Sequence, residues 1–167
     1  MGVDIFLKSG KKEFSYRLYW IANLIDEYGW CYKKHIPELV LGKKLAKKEA
    51  ASLLSFLEFC LLKLKNDKKK SLKRFDSVYF KKTEGIYQSL KQLIDLVEKK
   101  RPIEAKLFPK LQGLLKRMES YTGVYGQDPK IQKEETAEDF DERISLVENI
   151  IPLLKRIVTI GGSVRID

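Results

Sequence analysis

One segment of the chain is apolar around almost the whole circumference of a helix, and this limits what the chain can fold into. Between Leu53 and Leu64 the charged residues are Glu58 and Lys63 alone. A helix that is apolar on all sides is normally covered by neighbours in a folded core. The two charges make the segment too polar to span a bilayer, which argues against membrane insertion. The pattern therefore predicts a central helix from about Leu45 to Asn66.

Four other segments repeat apolar residues at intervals of three and four, which is the spacing of one helix face. The first ends before Gly29, which suits a left-handed closing residue, and the last opens with Thr136 as a cap. We predict a mainly α fold, a single helical bundle of about five helices that forms one domain over residues 1–167. The further helices are expected at about Tyr16–Tyr28, Thr83–Lys100, Ile103–Met118 and Thr136–Val158. The residues expected to be nearly fully buried are Leu57, Cys60, Leu61, Leu93, Leu114, Val147 and Leu154.

The two ends of the chain alternate apolar and polar residues, which is the period of a strand. Residues 3–8 form one such run and residues 163–167 the other, separated from the last helix by Gly161-Gly162. One interpretation pairs the two terminal runs as a minor β element. The other folds residues 3–8 back on Glu13–Leu18 as a hairpin through Ser9-Gly10.

Positive charge is concentrated in one stretch of a chain whose formal net charge is +10. Between Lys63 and Lys82, nine basic residues accompany two acidic ones, Asp67 and Asp76. Such a stretch can bind a polyanion, unless the acidic run Glu134–Glu142 neutralises it from within. Because most of its charges are Lys, a flexible point charge, we expect little sequence preference. The candidate polyanion-binding residues are Lys68, Lys69, Lys70, Lys73, Arg74, Lys81 and Lys82.

Aromatic residues are concentrated near the N-terminus, where seven of the 18 lie between Phe14 and Tyr32. Those at helical spacing are expected in the core, whereas Trp30 and Tyr32 follow Gly29 and are free to be exposed. The segment 120–135 is unusually long for a loop, which indicates either function or mobility. It carries Tyr121 and Tyr125, which could frame a partner contact. The candidate interaction surface comprises Trp30, Tyr32, Tyr121 and Tyr125.

The sequence offers little material for catalysis or for binding a cofactor. It contains neither a Gly-x-x-x-x-Gly-Lys phosphate loop nor a Gly-x-Gly-x-x-Gly run. His35 is the single histidine and cannot by itself make a metal site. Asp95, Glu104 and Lys106 have the spacing of a nuclease triplet, but they lie on helical patterns separated by Pro102. We therefore predict no catalytic, cofactor-binding or metal-binding residue and no cofactor.

The cysteines and the N-terminus favour a cytoplasmic protein. Cys31 and Cys60 lie among apolar residues, as free thiols packed in a core commonly do. A disulfide between them is the alternative. Asp4 interrupts the short apolar stretch that opens the chain, so the stretch does not resemble a signal peptide.

Three functional hypotheses follow. The first is a non-enzymatic helical interaction protein that acts in a homo-oligomer or another protein assembly. The second is a protein that binds nucleic acid or another polyanion through the Lys63–Lys82 region. The third is an enzyme without a recognisable motif, although the residues of the sequence favour a non-enzymatic protein. Exposed apolar surface would favour the first hypothesis, and a contiguous positive face would favour the second.

Overall fold

A computed structural model of the chain describes residues 2–76, 78–98, 109, 113 and 129–167. The fold is mainly helical, as predicted, and the described part contains four α-helices rather than about five. The predicted helix at Ile103–Met118 lies almost entirely outside the described residues. The helices are α1 (Leu18–Tyr28), α2 (Lys47–Phe75), α3 (Val78–Glu98) and α4 (Pro129–Ile160), with a 3-10 turn at Gly29–Cys31. The strands are β1 (Asp4–Ser9), β2 (Lys12–Arg17), β3 (Lys44–Leu45) and β4 (Ser163–Ile166).

The four strands form one antiparallel sheet in the order β2-β1-β4-β3. Ile5 on β1 lies opposite Tyr16 on β2 and opposite Ile166 on β4. Both interpretations of the termini are therefore correct, because an internal strand has two edges and β1 uses each of them. The hairpin between β1 and β2 turns through Gly10, whose φ of 63° lies in the left-handed region that glycine adopts without strain.

The chain divides into two compact units, a first unit of residues 1–67 and 140–167 and a second unit of residues 68–139. In the first unit, one face of the sheet packs against helices, and the central position of the α2 segment is confirmed by the burial of Leu57 and Cys60. The burial predicted for Val147 and Leu154 is confirmed as well. Leu61 is half-buried, so that prediction is wrong. Leu114 and the side chain of Leu93 lie outside the described part.

In the second unit, the basic stretch is helical. α2 ends at Phe75 rather than near Asn66, because Lys and Arg are good helix formers and neither glycine nor proline interrupts residues 47–75. Ion pairs of 2.9 Å join Lys133 to Asp76 and Lys130 to Glu84. Among the described helices, none is both long enough and apolar enough to cross a membrane.

Three local predictions are wrong. Tyr16 belongs to β2, and α1 begins two residues later at Leu18. Gly29 has a φ of −60° and continues into the 3-10 turn instead of closing α1 in the left-handed region. Thr136 is inside α4, where its hydroxyl donates a hydrogen bond of 2.7 Å to the carbonyl of Gln132. Residues 129–135 are accordingly helix rather than loop.

Candidate interaction surface

An apolar groove runs along one face of α1 in the first unit. Leu18, Ala22, Ile25 and Asp26 are spaced by four, three and one residues, so they lie on one side of the helix. The segment Ile36–Leu39 forms the opposite wall. The groove has a volume of about 330 Å³, at the lower end of the range for ligand sites.

The end of α1 lets the opposite wall approach closely. A Cβ atom at Gly29 would lie 3.4 Å from Cδ1 of Ile36 and 3.5 Å from Cγ2 of Ile25. Both distances are ordinary van der Waals contacts, so Ile36 approaches the end of α1 closely without requiring a glycine there. Pro37, the next residue, is buried and restricts the backbone of the wall. Residues of both walls pack against the core of the first unit, namely Leu18, Ile25, Ile36 and Leu39.

Two carboxylates are the charged groups among the groove's lining residues. Asp26 on α1 and Glu38 on the opposite wall are both exposed. The other six lining residues are apolar: Leu18, Ala22, Ile25, Ile36, Pro37 and Leu39. The groove thus suits an apolar group accompanied by positive charge.

Exposed apolar side chains follow both walls of the groove along the chain. Val40 and Leu41 come directly after Leu39, and Leu41 is 68% exposed. Trp30 is 84% exposed, as predicted from the sequence, and its Nε1 donates a hydrogen bond of 2.8 Å to the carbonyl of Glu27. That bond holds the indole in one orientation and reduces the conformational entropy that binding would cost.

Tyr32, another of the predicted interaction residues, is not among the lining residues of the groove. Tyr32 is half-buried, because its ring packs on Phe56 and Phe59 with centroid distances of 5.2 and 5.1 Å. It belongs to the margin of the core and is only partly exposed. Tyr121 and Tyr125 lie outside the described residues.

A second exposed feature of the first unit is the outer edge of the sheet at β2. The amide of Leu18 donates a hydrogen bond of 3.0 Å to the carbonyl of Val3, directly beyond the last β1–β2 pair. In antiparallel strands the hydrogen-bonded pairs alternate. The backbone groups of Phe14 and Tyr16 therefore point to β1, whereas those of Glu13 and Ser15 and the amide of Arg17 point outward. The carbonyl of Arg17 accepts the first hydrogen bond of α1. Glu13, Ser15 and Arg17 are all exposed.

The second unit carries exposed positive charge on the end of α2. Lys69, Lys70 and Lys73 are exposed and have no ion-pair partner among the described residues. The two acids of the stretch are occupied elsewhere, because Asp67 accepts a hydrogen bond of 3.1 Å from Tyr28 and Asp76 pairs with Lys133. Of the remaining candidates, Arg74 and Lys81 are exposed, Lys68 is half-buried, and the side chain of Lys82 is outside the described part.

The thiols offer little nucleophilic chemistry. Both cysteines are free. Burial, followed by the neighbouring Cys31, raises the pKa of the Cys60 thiol to about 12. The Cys31 thiol is half-buried and donates a hydrogen bond of 3.1 Å to the carbonyl of Tyr28. Within the described ranges, His, Cys, Asp and Glu residues form no group of three that could hold a metal ion.

The chain matches no protein-family model, no curated protein and no solved structure. Its function therefore has to be inferred from the geometry of its own surfaces.

Sequence reasoning missed both the groove and the sheet edge. The sequence did indicate the α1 wall of the groove. Leu18, Ala22 and Ile25 recur at helical spacing beside the buried stripe of Ile21 and Leu24. The opposite wall had no such signal, because residues 36–39 are irregular and carry no period that would indicate where they pack. The edge at β2 could be recognised only after the hairpin interpretation was known to hold.

Proposed function

We propose that the protein is a non-enzymatic interaction protein of the cytoplasm that works in a protein assembly. The α1 groove would receive an apolar segment of a partner protein that carries Lys or Arg beside its apolar residues. The observation that supports this most is the groove itself, an apolar cleft of about 330 Å³ with Asp26 and Glu38 at its rim. The cytoplasmic setting is supported by the free thiols Cys31 and Cys60.

The chemistry of the lining favours a peptide segment over a polar metabolite. A polar metabolite needs several hydrogen-bonding groups that fix its orientation, whereas the polar side chains among the lining residues are two exposed carboxylates. Apolar anchors give most of the energy at protein interfaces, and charges at the rim give selectivity. Val40, Leu41 and Trp30 are exposed and follow the groove walls in the sequence, and we propose that they add apolar contacts to such a segment.

Selection from a phage-displayed library of random peptides tests this proposal. We expect enrichment of peptides that combine apolar residues with Lys or Arg. The enrichment of basic residues would be informative, because a protein with a net charge of +10 repels basic peptides in general. Local carboxylates reverse that preference, and the exposed acidic run Glu134–Glu142 is another source of them, so the binding site of a selected peptide has to be located separately.

A matched pair of variants locates the binding site of a selected peptide. Ala22→Trp fills the groove, and we expect it to weaken binding at least about tenfold. Asn23→Trp adds the same side chain at an exposed neighbouring position outside the groove lining, and it should leave binding unchanged. Equal binding by the wild type and Ala22→Trp would contradict the proposal, as would a library without apolar-basic enrichment.

Polyanion binding is a second candidate, supported by the exposed Lys69, Lys70 and Lys73. These lysines project from one helix at positions i, i+1 and i+4, and the two acids of the stretch are engaged with Tyr28 and Lys133. Each contact with a phosphate releases counterions, so affinity for duplex DNA would fall with salt at a log–log slope of about −3 to −5 for four to six contacts.

Charge reversal separates this candidate from general attraction to a basic protein. Replacing Lys69, Lys70 and Lys73 with Glu should abolish binding to duplex DNA and to single-stranded RNA. The control replaces the exposed Lys44, Lys47 and Lys48 with Glu, which changes the net charge equally and should retain most of the affinity. If the two triple variants weaken binding equally, or if the wild type does not bind at about 50 mM salt, this candidate is wrong.

A further inference from the structure

The outer edge of the sheet carries backbone donors and acceptors that are available to another strand. Glu13 and Ser15 direct both their N–H and C=O groups away from β1, and Arg17 directs its N–H group the same way, as the hydrogen bond between Leu18 and Val3 establishes. The carbonyl of Arg17 accepts the first hydrogen bond of α1. Glu13, Ser15 and Arg17 are exposed, and so is Phe14. Among the described strands this edge has no partner, and an edge of this kind is a template for strand addition.

We propose that a second copy of this chain adds its own β2 to this edge, in an antiparallel arrangement with two-fold symmetry. Ser15 would lie opposite Ser15 of the partner subunit, and the two four-stranded sheets would form one continuous sheet. This interface is independent of the α1 groove and extends the protein beyond the function proposed above.

The register follows first from the direction of the backbone groups. In an antiparallel pair, residues that point their N–H and C=O groups at each other must lie opposite one another. Residues 13, 15 and 17 can therefore meet only residues 13, 15 and 17 of the second copy. Centring the pair on Ser15 gives two hydrogen bonds between the two copies of Ser15, and one from the Arg17 amide of each copy to the Glu13 carbonyl of the other. Moving the centre in either direction leaves one of the three residues beyond the end of the partner's set.

The side-chain charges select the same register. With Ser15 on the axis, Glu13 lies opposite Arg17 of the partner subunit, and this ion pair occurs twice by symmetry. Within one chain, Arg17 already lies opposite Asp4 and Glu13 opposite Lys8. The facing side chains across the four central strands would then alternate between negative and positive charge. The order is Asp4 and Arg17 of one copy, followed by Glu13 and Lys8 of the other. Opposite charges in directly facing positions stabilise sheet pairs.

Other symmetric registers lack this complementarity. A pair centred on Glu13 places that carboxylate opposite its own copy, and a pair centred on Arg17 does the same with two guanidinium groups. Like charges that face each other across strands are destabilising. Centring on Phe14 or Tyr16 brings Ser15 opposite a charged residue and leaves no facing ion pair. Charged residues on an edge strand commonly prevent unspecific pairing, and here they leave one favoured register.

The aromatic residues of β2 fit the same arrangement on the other face of the sheet. Phe14 and Tyr16 lie on the side of the buried Leu7 and Ile5, which they face across the hairpin. Tyr16 packs partly against the core, whereas Phe14 is 39% exposed at the margin. In the proposed register Phe14 would lie opposite Tyr16 of the partner subunit, again twice. Cross-strand aromatic pairs are favourable, so the pairing would cover the exposed part of Phe14.

Charge-reversed chains test the register directly by sedimentation velocity over a range of concentrations. We expect the wild type to form a reversible dimer, and Glu13→Arg or Arg17→Glu alone to raise the dissociation constant at least about tenfold. An equal mixture of the two variants should restore dimers, because each ion pair then joins one chain of each kind. Circular dichroism and melting curves serve to verify that both variants are folded.

A cysteine at the axis gives a second measurement that does not depend on charge. On a Cys31→Ser background, Ser15→Cys should form a covalent dimer on oxidation, since facing residues of a hydrogen-bonded pair have Cα atoms about 5.5 Å apart. Lys12→Cys is the control, because its two copies would be six residues apart, about 20 Å along the strand. A wild type that stays monomeric at every concentration overturns the proposal. A dimer that is neither restored by the mixture nor cross-linked through Ser15→Cys overturns it too. Neither result bears on the α1 groove, which is tested separately by peptide selection and the Ala22→Trp variant.

Discussion

The hydroxyl of Tyr28, the last residue of α1, donates a hydrogen bond of 3.1 Å to Oδ2 of Asp67, 39 residues along the chain on α2. Burial raises the pKa of Tyr28 well above its ordinary value of about 10, and the carboxylates of Glu27 and Asp67 add to the effect. A phenol of ordinary pKa is already protonated at neutral pH, and the raised pKa of Tyr28 extends its donation into the alkaline range. This bond ties the helix that bears the groove to the central helix of the first unit.

Replacing Tyr28 with Phe should lower the free energy of unfolding by about 1–2 kcal/mol. The ring stays in place, but a hydrogen bond from a buried phenol to a carboxylate is lost. Urea unfolding followed by circular dichroism measures the change. Tyr19→Phe is the control, since Tyr19 is exposed and should give a change within about 0.5 kcal/mol. Equal effects at the two positions would show that the bond to Asp67 contributes nothing.

Two leucines on α2 provide a sharper comparison of burial. Leu57 is fully buried, whereas Leu62 is 65% exposed, although both belong to the segment that is apolar all round. Leu57→Ala should cost about 2–5 kcal/mol, because it leaves a cavity in the core. Leu62→Ala should change stability by about 0.5 kcal/mol or less. Denaturant unfolding of both variants measures these changes. A decrease in the free energy of unfolding below about 1 kcal/mol for Leu57→Ala would show that this helix face lies outside the core.

The same pair of residues shows how far apolar patterning predicts this fold. The pattern correctly identified a central helix, because burial of Leu57 and Cys60 follows from the apolar density of the segment. It could not identify Leu62 as exposed, since hydrophobicity alone does not tell which side of a helix lacks a neighbour. The terminal strands were predicted with their alternatives open, and β1 satisfied both because it has two edges.

Helix ends and surfaces were predicted less well, for physical reasons. Gly29 is compatible with both right-handed and left-handed conformations, so its presence does not decide how α1 ends. Thr136 resembled a cap, but Pro129 is also a favourable first residue of a helix and begins α4 seven residues earlier. The groove depends on residues 36–39 packing against α1, which is a tertiary contact without a local signature.

Two glycines should respond in opposite directions to the same substitution. A Cβ atom at Gly162 would lie 2.3 Å from the carbonyl oxygen of Lys8 on β1, and that backbone atom cannot move away without disturbing the sheet. Gly162→Ala should therefore destabilise the protein by about 2 kcal/mol or more. Gly85 is exposed within α3 and has open space around it, so Gly85→Ala should stabilise by about 0.5–1 kcal/mol. Thermal unfolding of both variants measures these shifts, and a neutral Gly162→Ala would contradict the close approach.

The start of α2 should make stability depend on pH through Glu49. Its carboxylate accepts a hydrogen bond from Nζ of Lys43 at 2.8 Å and another from the amide of Ala46, the residue before the helix, at 2.9 Å. These bonds, with that of Lys43 first, lower the pKa of Glu49 below its ordinary value. Because the folded state binds the proton more weakly than the unfolded state, this stabilisation is complete above the ordinary pKa. It is lost as the pH falls through the lowered one.

Glu49→Gln should consequently be less stable than the wild type at pH 7, and the difference should shrink as the pH is lowered to about 3. Urea unfolding of both proteins at several pH values measures the difference. Glu142→Gln removes one exposed negative charge elsewhere and controls for the change in net charge. The free energies of unfolding of the wild type and Glu49→Gln could instead differ equally at pH 7 and at low pH. In that case the ionised carboxylate would not be what stabilises the first turn of α2, and the loss would come from the geometry of the glutamine side chain.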